Sequence, residues 1–109
     1  MPYDEDLARR IRSVLENRTD VSEKKMFGGL AFFAGGHMFC GVVGHDLMVR
    51  VGPEQYENAL GTQHARPMDF TGRPMKGMVF VASAGFPTRQ ALRGWINGGL
   101  RFAGSLPPK

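Results

Sequence analysis

The chain has 109 residues and a formal net charge of +4, from 14 basic against 10 acidic side chains. That length suits a single domain spanning residues 1–109, large enough to bury about two-thirds of its unfolded surface without metal or disulfide staples. The lone cysteine, Cys40, excludes an internal disulfide and argues against an oxidising compartment.

The acidic start, Met1-Pro2-Tyr3-Asp4-Glu5-Asp6, lacks the apolar segment of a signal peptide. No apolar run reaches the roughly 20 residues a spanning helix needs. The expectation is a soluble cytoplasmic protein with no membrane partner.

Residues 4–17 are predicted to form an amphipathic helix. Leu7, Ile11, Val14 and Leu15 recur at i, i+4, i+7 and i+8, while acids crowd the first turn and Arg9, Arg10 and Arg12 follow. From Glu23 to Val51 the period shortens, and β-prone runs alternate with glycine pairs. Gly35-Gly36 and Gly44-His45 each fit a two-residue hairpin turn, where φ > 0 is often needed. The predicted meander has strands at about 24–28, 30–34, 37–43 and 46–51.

Gly52-Pro53 is then expected to open a short helix, with Pro53 at its first position and Gly61 as its stop. Strands at 65–70 and 76–82 follow, joined by Thr71-Gly72-Arg73-Pro74. A closing helix over 88–103 carries the stripe Leu92, Trp95, Ile96, Leu100 and Ala103. Gly94, Gly98 and Gly99 each cost that helix about 1 kcal/mol relative to alanine, so packing must hold it. The predicted class is α+β: a curved antiparallel sheet of five to six strands with an N-terminal, a short middle and a C-terminal helix.

Met26-Phe27-Gly28-Gly29-Leu30, Met38-Phe39-Cys40-Gly41-Val42 and Leu47-Met48-Val49-Arg50-Val51 occur in that order. They are followed by Gly72-Arg73-Pro74-Met75-Lys76-Gly77-Met78, by Trp95 in a helix and by Ser105-Leu106-Pro107-Pro108-Lys109. The ordered set resembles the N-terminal domain of the TfoX/Sxy competence-regulator family over roughly residues 5 to 109. The resemblance implies an α+β fold and no catalytic motif. It also implies a link to transcription of competence genes, which the better-known members promote together with a cyclic-AMP receptor protein. Those members carry a second, helical domain, and a stand-alone N-terminal domain is expected here.

Candidate chemistry is sparse. Cys40 falls mid-strand between Phe39 and Gly41, where a free thiol behaves as a small buried hydrophobe; a nucleophile needs a nearby base. His37, His45 and His64 lie in or beside turns, with no zinc-ligand spacing among them or to Cys40. The glycine pairs lie between strands, whereas a phosphate loop must lead into a helix. No cofactor, metal site or catalytic residue is expected, and a small enzyme using Cys40 or a histidine is the least favoured reading.

Two binding readings remain. Arg50, Arg66, Arg73 and Lys76 gather around the last predicted hairpin and suit weak contacts with nucleic acid or an acidic partner. If both glycine turns are tight, Phe33 faces Met38, Ala31 faces Cys40, Cys40 faces Val49 and Val42 faces Leu47, forming the core side. Leu30, Phe32, Phe39 and Met48 then fall on the opposite face, which should otherwise be polar. Either the C-terminal helix covers them or another chain does, whether a second copy or a regulatory partner. The reading favoured is a non-enzymatic interaction domain, an adaptor in transcriptional regulation, with a homodimer through that face.

Overall fold

The computed structural model describes residues 3–26, 28–68 and 77–107. The architecture is α+β. Its elements are α1 (Glu5–Val14), β1 (Val21–Met26), β2 (Gly29–Ala34), β3 (His37–Val43), β4 (Asp46–Arg50), α2 (Tyr56–Leu60), β5 (Ala65–Pro67), β6 (Met78–Val81) and α3 (Arg89–Gly104). The strands form one open antiparallel sheet in the order β1-β2-β3-β4-β6-β5.

Helix α1 begins where its acidic residues predict. Asp4 is the N-cap, its Oδ1 accepting from the backbone N–H of Asp6 at 2.9 Å and of Leu7 at 3.2 Å. The Asp4 N–H also donates to the carbonyl of Gly44 at 2.8 Å, fastening the N-terminus to the β3–β4 turn. Leu7, Ala8 and Ile11 are buried, the apolar side of the predicted stripe. The helix ends at Val14 rather than at 17, yet Leu15 in the following turn is still buried.

Both predicted glycine turns form, closing on the pairs Ala34↔His37 and Val43↔Asp46. Strand β1 starts at Val21, three residues earlier than expected. It is an edge strand, so Ser22, Glu23, Lys24 and Lys25 can be exposed while still pairing with β2; its polarity masks it in the sequence. Helix α2 starts three residues later than expected. The N–H groups of Val51 and Gly52 both donate to the carbonyl of Gly77, at 2.8 and 3.0 Å, so the chain is still tied to the sheet there and must turn before it can coil. Pro53 sits in that turn and not at the head of the helix. β5 ends at Pro67 and β6 begins at Met78; residues 69–76 of the predicted hairpin lie outside the described residues.

The expected register holds at Phe33↔Met38, Cys40↔Val49 and Val42↔Leu47, but not at Ala31. A β-bulge lies between Phe33↔Met38 and Phe32↔Cys40, so Phe39 is an extra residue and Ala31 pairs with Gly41. A bulge of this kind breaks the period-2 alternation. Phe39 and Cys40 both belong to the helix-covered core, with Leu30, Phe32, Val42, Leu47 and Val49. Leu92, Ile96 and Ala103 of α3 and Leu7 and Ile11 of α1 close that core from above. The opposite face carries a second apolar cluster of Met48, Met68, Met78 and Phe80, with Met38 and Val43 packed against it.

Candidate functional site

The predicted partner face is therefore corrected. Leu30, Phe32 and Phe39 are at most 4% exposed and lie in the cluster that α1 and α3 close. The C-terminal helix is the cover, because the bulge moves Leu30 and Phe32 onto the same side as Cys40. Met48 does lie on the other face, but it is buried with Met68, Met78 and Phe80.

Of the basic candidates, Arg50 and Arg66 lie among the described residues. Arg66 is paired with Asp46 at 2.5 Å and its guanidinium lies 5.0 Å from the centre of the Phe80 ring. Arg50 stands two register positions away across β6 and stacks over Phe102 at 5.1 Å. Both cations are thus held within the protein's own surface. Arg73 and Lys76 lie outside the described residues.

Cys40 is fully buried, and desolvation pushes its thiol well above the ordinary range; the reactive thiolate is disfavoured. The histidines are dispersed. His37 Nε2 is 2.6 Å from the carbonyl oxygen of Pro107, His45 Nδ1 is 3.2 Å from Asp4 Oδ2, and His64 occupies a turn at φ +77°. Among the described residues no three His, Cys, Asp or Glu side chains are grouped as metal ligands.

The shifted carboxylates also have structural causes. The hydrogen bond from His45, and then the helix N–H of Leu7, hold Asp4 below its ordinary value. Arg12 bonds Glu23 through both Nε and Nη2, at 2.7 and 2.8 Å, linking α1 to β1 and lowering the Glu23 carboxyl. Arg18 does the same for Asp20. None of these groups lines a cleft of the kind in which a shifted group marks catalysis.

A cleft among the described residues lies elsewhere. A groove of about 520 Å³ runs between the Gly52–Gln55 turn with α2 on one bank and α3 on the other, within the usual range for ligand sites of about 300–1,000 Å³. Its floor on the α3 side is Gly94 and Gly98, one helical turn apart; a Cβ built at either would meet nothing within 4 Å. Trp95 and Phe102 supply aromatic wall, both half-buried. The Trp95 indole N–H donates to the carbonyl of Gly85 at 3.2 Å, which fixes the ring. Phe102 is wedged against Gly52, whose φ of +86° and lack of side chain make room for it.

On the opposite bank the Asn58 side chain donates to Gln55 Oε1 at 3.2 Å, and the Thr62 hydroxyl donates to the Asn58 carbonyl. Arg101 on one rim and Glu54 on the other have no ion-pair or hydrogen-bond partner among the described residues. The lining offers aromatic faces, bare backbone, amides and two opposite charges, with no histidine or thiol. Such a surface can bind and orient a partner; it has no nucleophile–base pair. The glycine spacing was the sequence signal for this groove, because Gly94 and Gly98 lie on the face opposite Leu92, Ile96 and Ala103.

The TfoX N-terminal domain model matches residues 13–103. The chain belongs to the TfoX N-terminal domain family. The match runs from the end of α1 through the sheet and nearly to the end of α3, so it includes both banks of the groove apart from Ser105. Comparison with curated proteins and with solved structures finds no match. Among the described residues no helix is long and apolar enough to cross a membrane.

Proposed function

We propose that this TfoX N-terminal domain is a non-catalytic, cytoplasmic protein-interaction module, an adaptor in transcriptional regulation that engages its partner through the α2–α3 groove. The observation that carries this reading is the composition of the groove. It combines half-buried Trp95 and Phe102 with glycine backbone open to close approach. Buried aromatic anchors in such settings dominate protein–protein binding energy. Membership of the TfoX N-terminal domain family, with its resemblance to competence regulators, is what supports a place in gene regulation. A nucleic-acid role has less support, since Arg50 and Arg66 are committed to Phe102, Asp46 and Phe80.

The test fills the groove without touching the core. Gly98→Leu places a side chain where a Cβ meets open space. Immobilised wild-type and Gly98→Leu proteins are compared for proteins retained from a cytoplasmic extract and identified by mass spectrometry. A component of the transcription machinery retained by the wild type and lost from the variant supports the reading; identical retention by both removes the groove from it.

A further inference from the structure

The two banks of the groove carry opposite charge. Helix α3 holds Arg89, Arg93 and Arg101 and no carboxylate along its 16 residues. Arg89 is engaged with Ser13 of α1, and Arg101 is the arginine of α3 that lines the groove. The facing bank, residues 52–62, lines the groove with Glu54 and with no lysine or arginine. An acidic peptide or a nucleic acid would satisfy the α3 bank and be repelled by the other. One occupant is bound to carry both signs in matching arrangement, namely the same surface on another copy.

We propose that the groove is the contact surface of a twofold homodimer, in which Glu54 of each copy meets Arg101 of the other. This rests on reading the groove as an interaction surface. A twofold interface must be self-complementary: if residue i touches j, then j touches i. The split banks meet that condition, since a half-turn lays each acidic bank on the opposing basic one. The exposed Pro53-Glu54 turn is the projecting feature, and the floor at Gly94 and Gly98 receives it because no Cβ stands in the way. Complementary rim charges steer and orient such an encounter.

Sedimentation equilibrium of the purified full chain is the test, at low and high salt. The wild type is expected to dimerise, with weaker association at high salt. Glu54→Arg and Arg101→Glu should each weaken association by about tenfold or more, a direct reading of the lost contact, and the combined variant should recover most of the loss. Both positions are exposed, so circular dichroism should show folded proteins throughout. A wild type that stays monomeric, or a dimer indifferent to both changes, overturns the proposal. So does a double variant no tighter than the singles. A monomer that still retains a cellular partner in a Gly98-sensitive way overturns the dimer while sparing the interaction reading; a dimer that retains nothing removes the adaptor role and leaves the groove as a self-contact.

Discussion

Gly99 of α3 lies directly on the backbone of Phe39 in β3: a Cβ at position 99 would overlap the Phe39 carbonyl oxygen. This contact sets how closely the helix sits on the sheet, and it falls at the bulge itself. The neighbouring glycines are different in kind, because Gly94 and Gly98 face open space.

That difference gives opposite outcomes for the same substitution. Gly99→Ala should destabilise the protein by about 1–3 kcal/mol, since backbone rather than a movable side chain stands in the way. Gly94→Ala should stabilise it by about 0.5–1 kcal/mol through helix propensity alone. Urea unfolding of the two variants checks both signs.

Phe39→Glu should abolish cooperative folding. The side chain is fully buried, and a carboxylate there has no cation to pair with inside an apolar cluster. Losing the phenyl ring alone costs about 3–5 kcal/mol, a large part of the usual total of about 5–15 kcal/mol. Dispersed amide resonances from a Phe39→Glu protein would place the ring outside the core.

Cys40 makes stability depend on alkaline pH. Burial raises its folded-state pKa, so its contribution is complete below the unfolded thiol value of about 8.5. Above that pH the unfolded chain releases a proton that the folded one keeps, and stability falls by up to about 1.4 kcal/mol per pH unit. Cys40→Ala removes this dependence while opening a small cavity. The gap between the two proteins should therefore narrow as pH rises from 8 to 10, followed by chemical denaturation. Native protein should react with thiol reagents only as fast as it opens; rapid labelling would contradict the burial.

At the other end of the pH scale, Asp4 contributes through its carboxylate. Its pKa is lowered by His45 and by the α1 N–H groups, so its stabilisation is present above the unfolded value and lost as pH falls through the folded one. Asp4→Ala should cost about 1 kcal/mol at neutral pH, as for other N-caps, and the deficit should shrink towards zero in acid. Thermal unfolding of both proteins at pH 7 and at low pH measures it.

Local chemistry was enough for much of the fold. Asp4 ahead of the Leu7–Ile11 stripe identifies α1, and Gly35-Gly36 and Gly44-His45 require antiparallel neighbours because their turns span only two residues. Thr88 and the Leu92–Ile96–Ala103 spacing identify α3; the Thr88 hydroxyl caps it by accepting from the Ala91 N–H at 3.1 Å. These signals rest on residues close in sequence and survive any packing. The edge strand β1 is weaker in the sequence, since four of its six residues meet water whatever they pair with.

Which side of the sheet is core was decided only in three dimensions. Side chains alternate along a strand, so one extra residue reverses the face of everything beyond it. Phe39 is that residue, and nothing in Met38-Phe39-Cys40 distinguishes a bulge from regular strand. The bulge brings Leu30 and Phe32 beneath α3 and sends Ala31 and Phe33 to the other face. The groove was hidden for a related reason. Gly94, Gly98 and Gly99 look alike in the sequence, and only the position of α3 on Phe39 separates the glycine that packs from the two that leave a surface open.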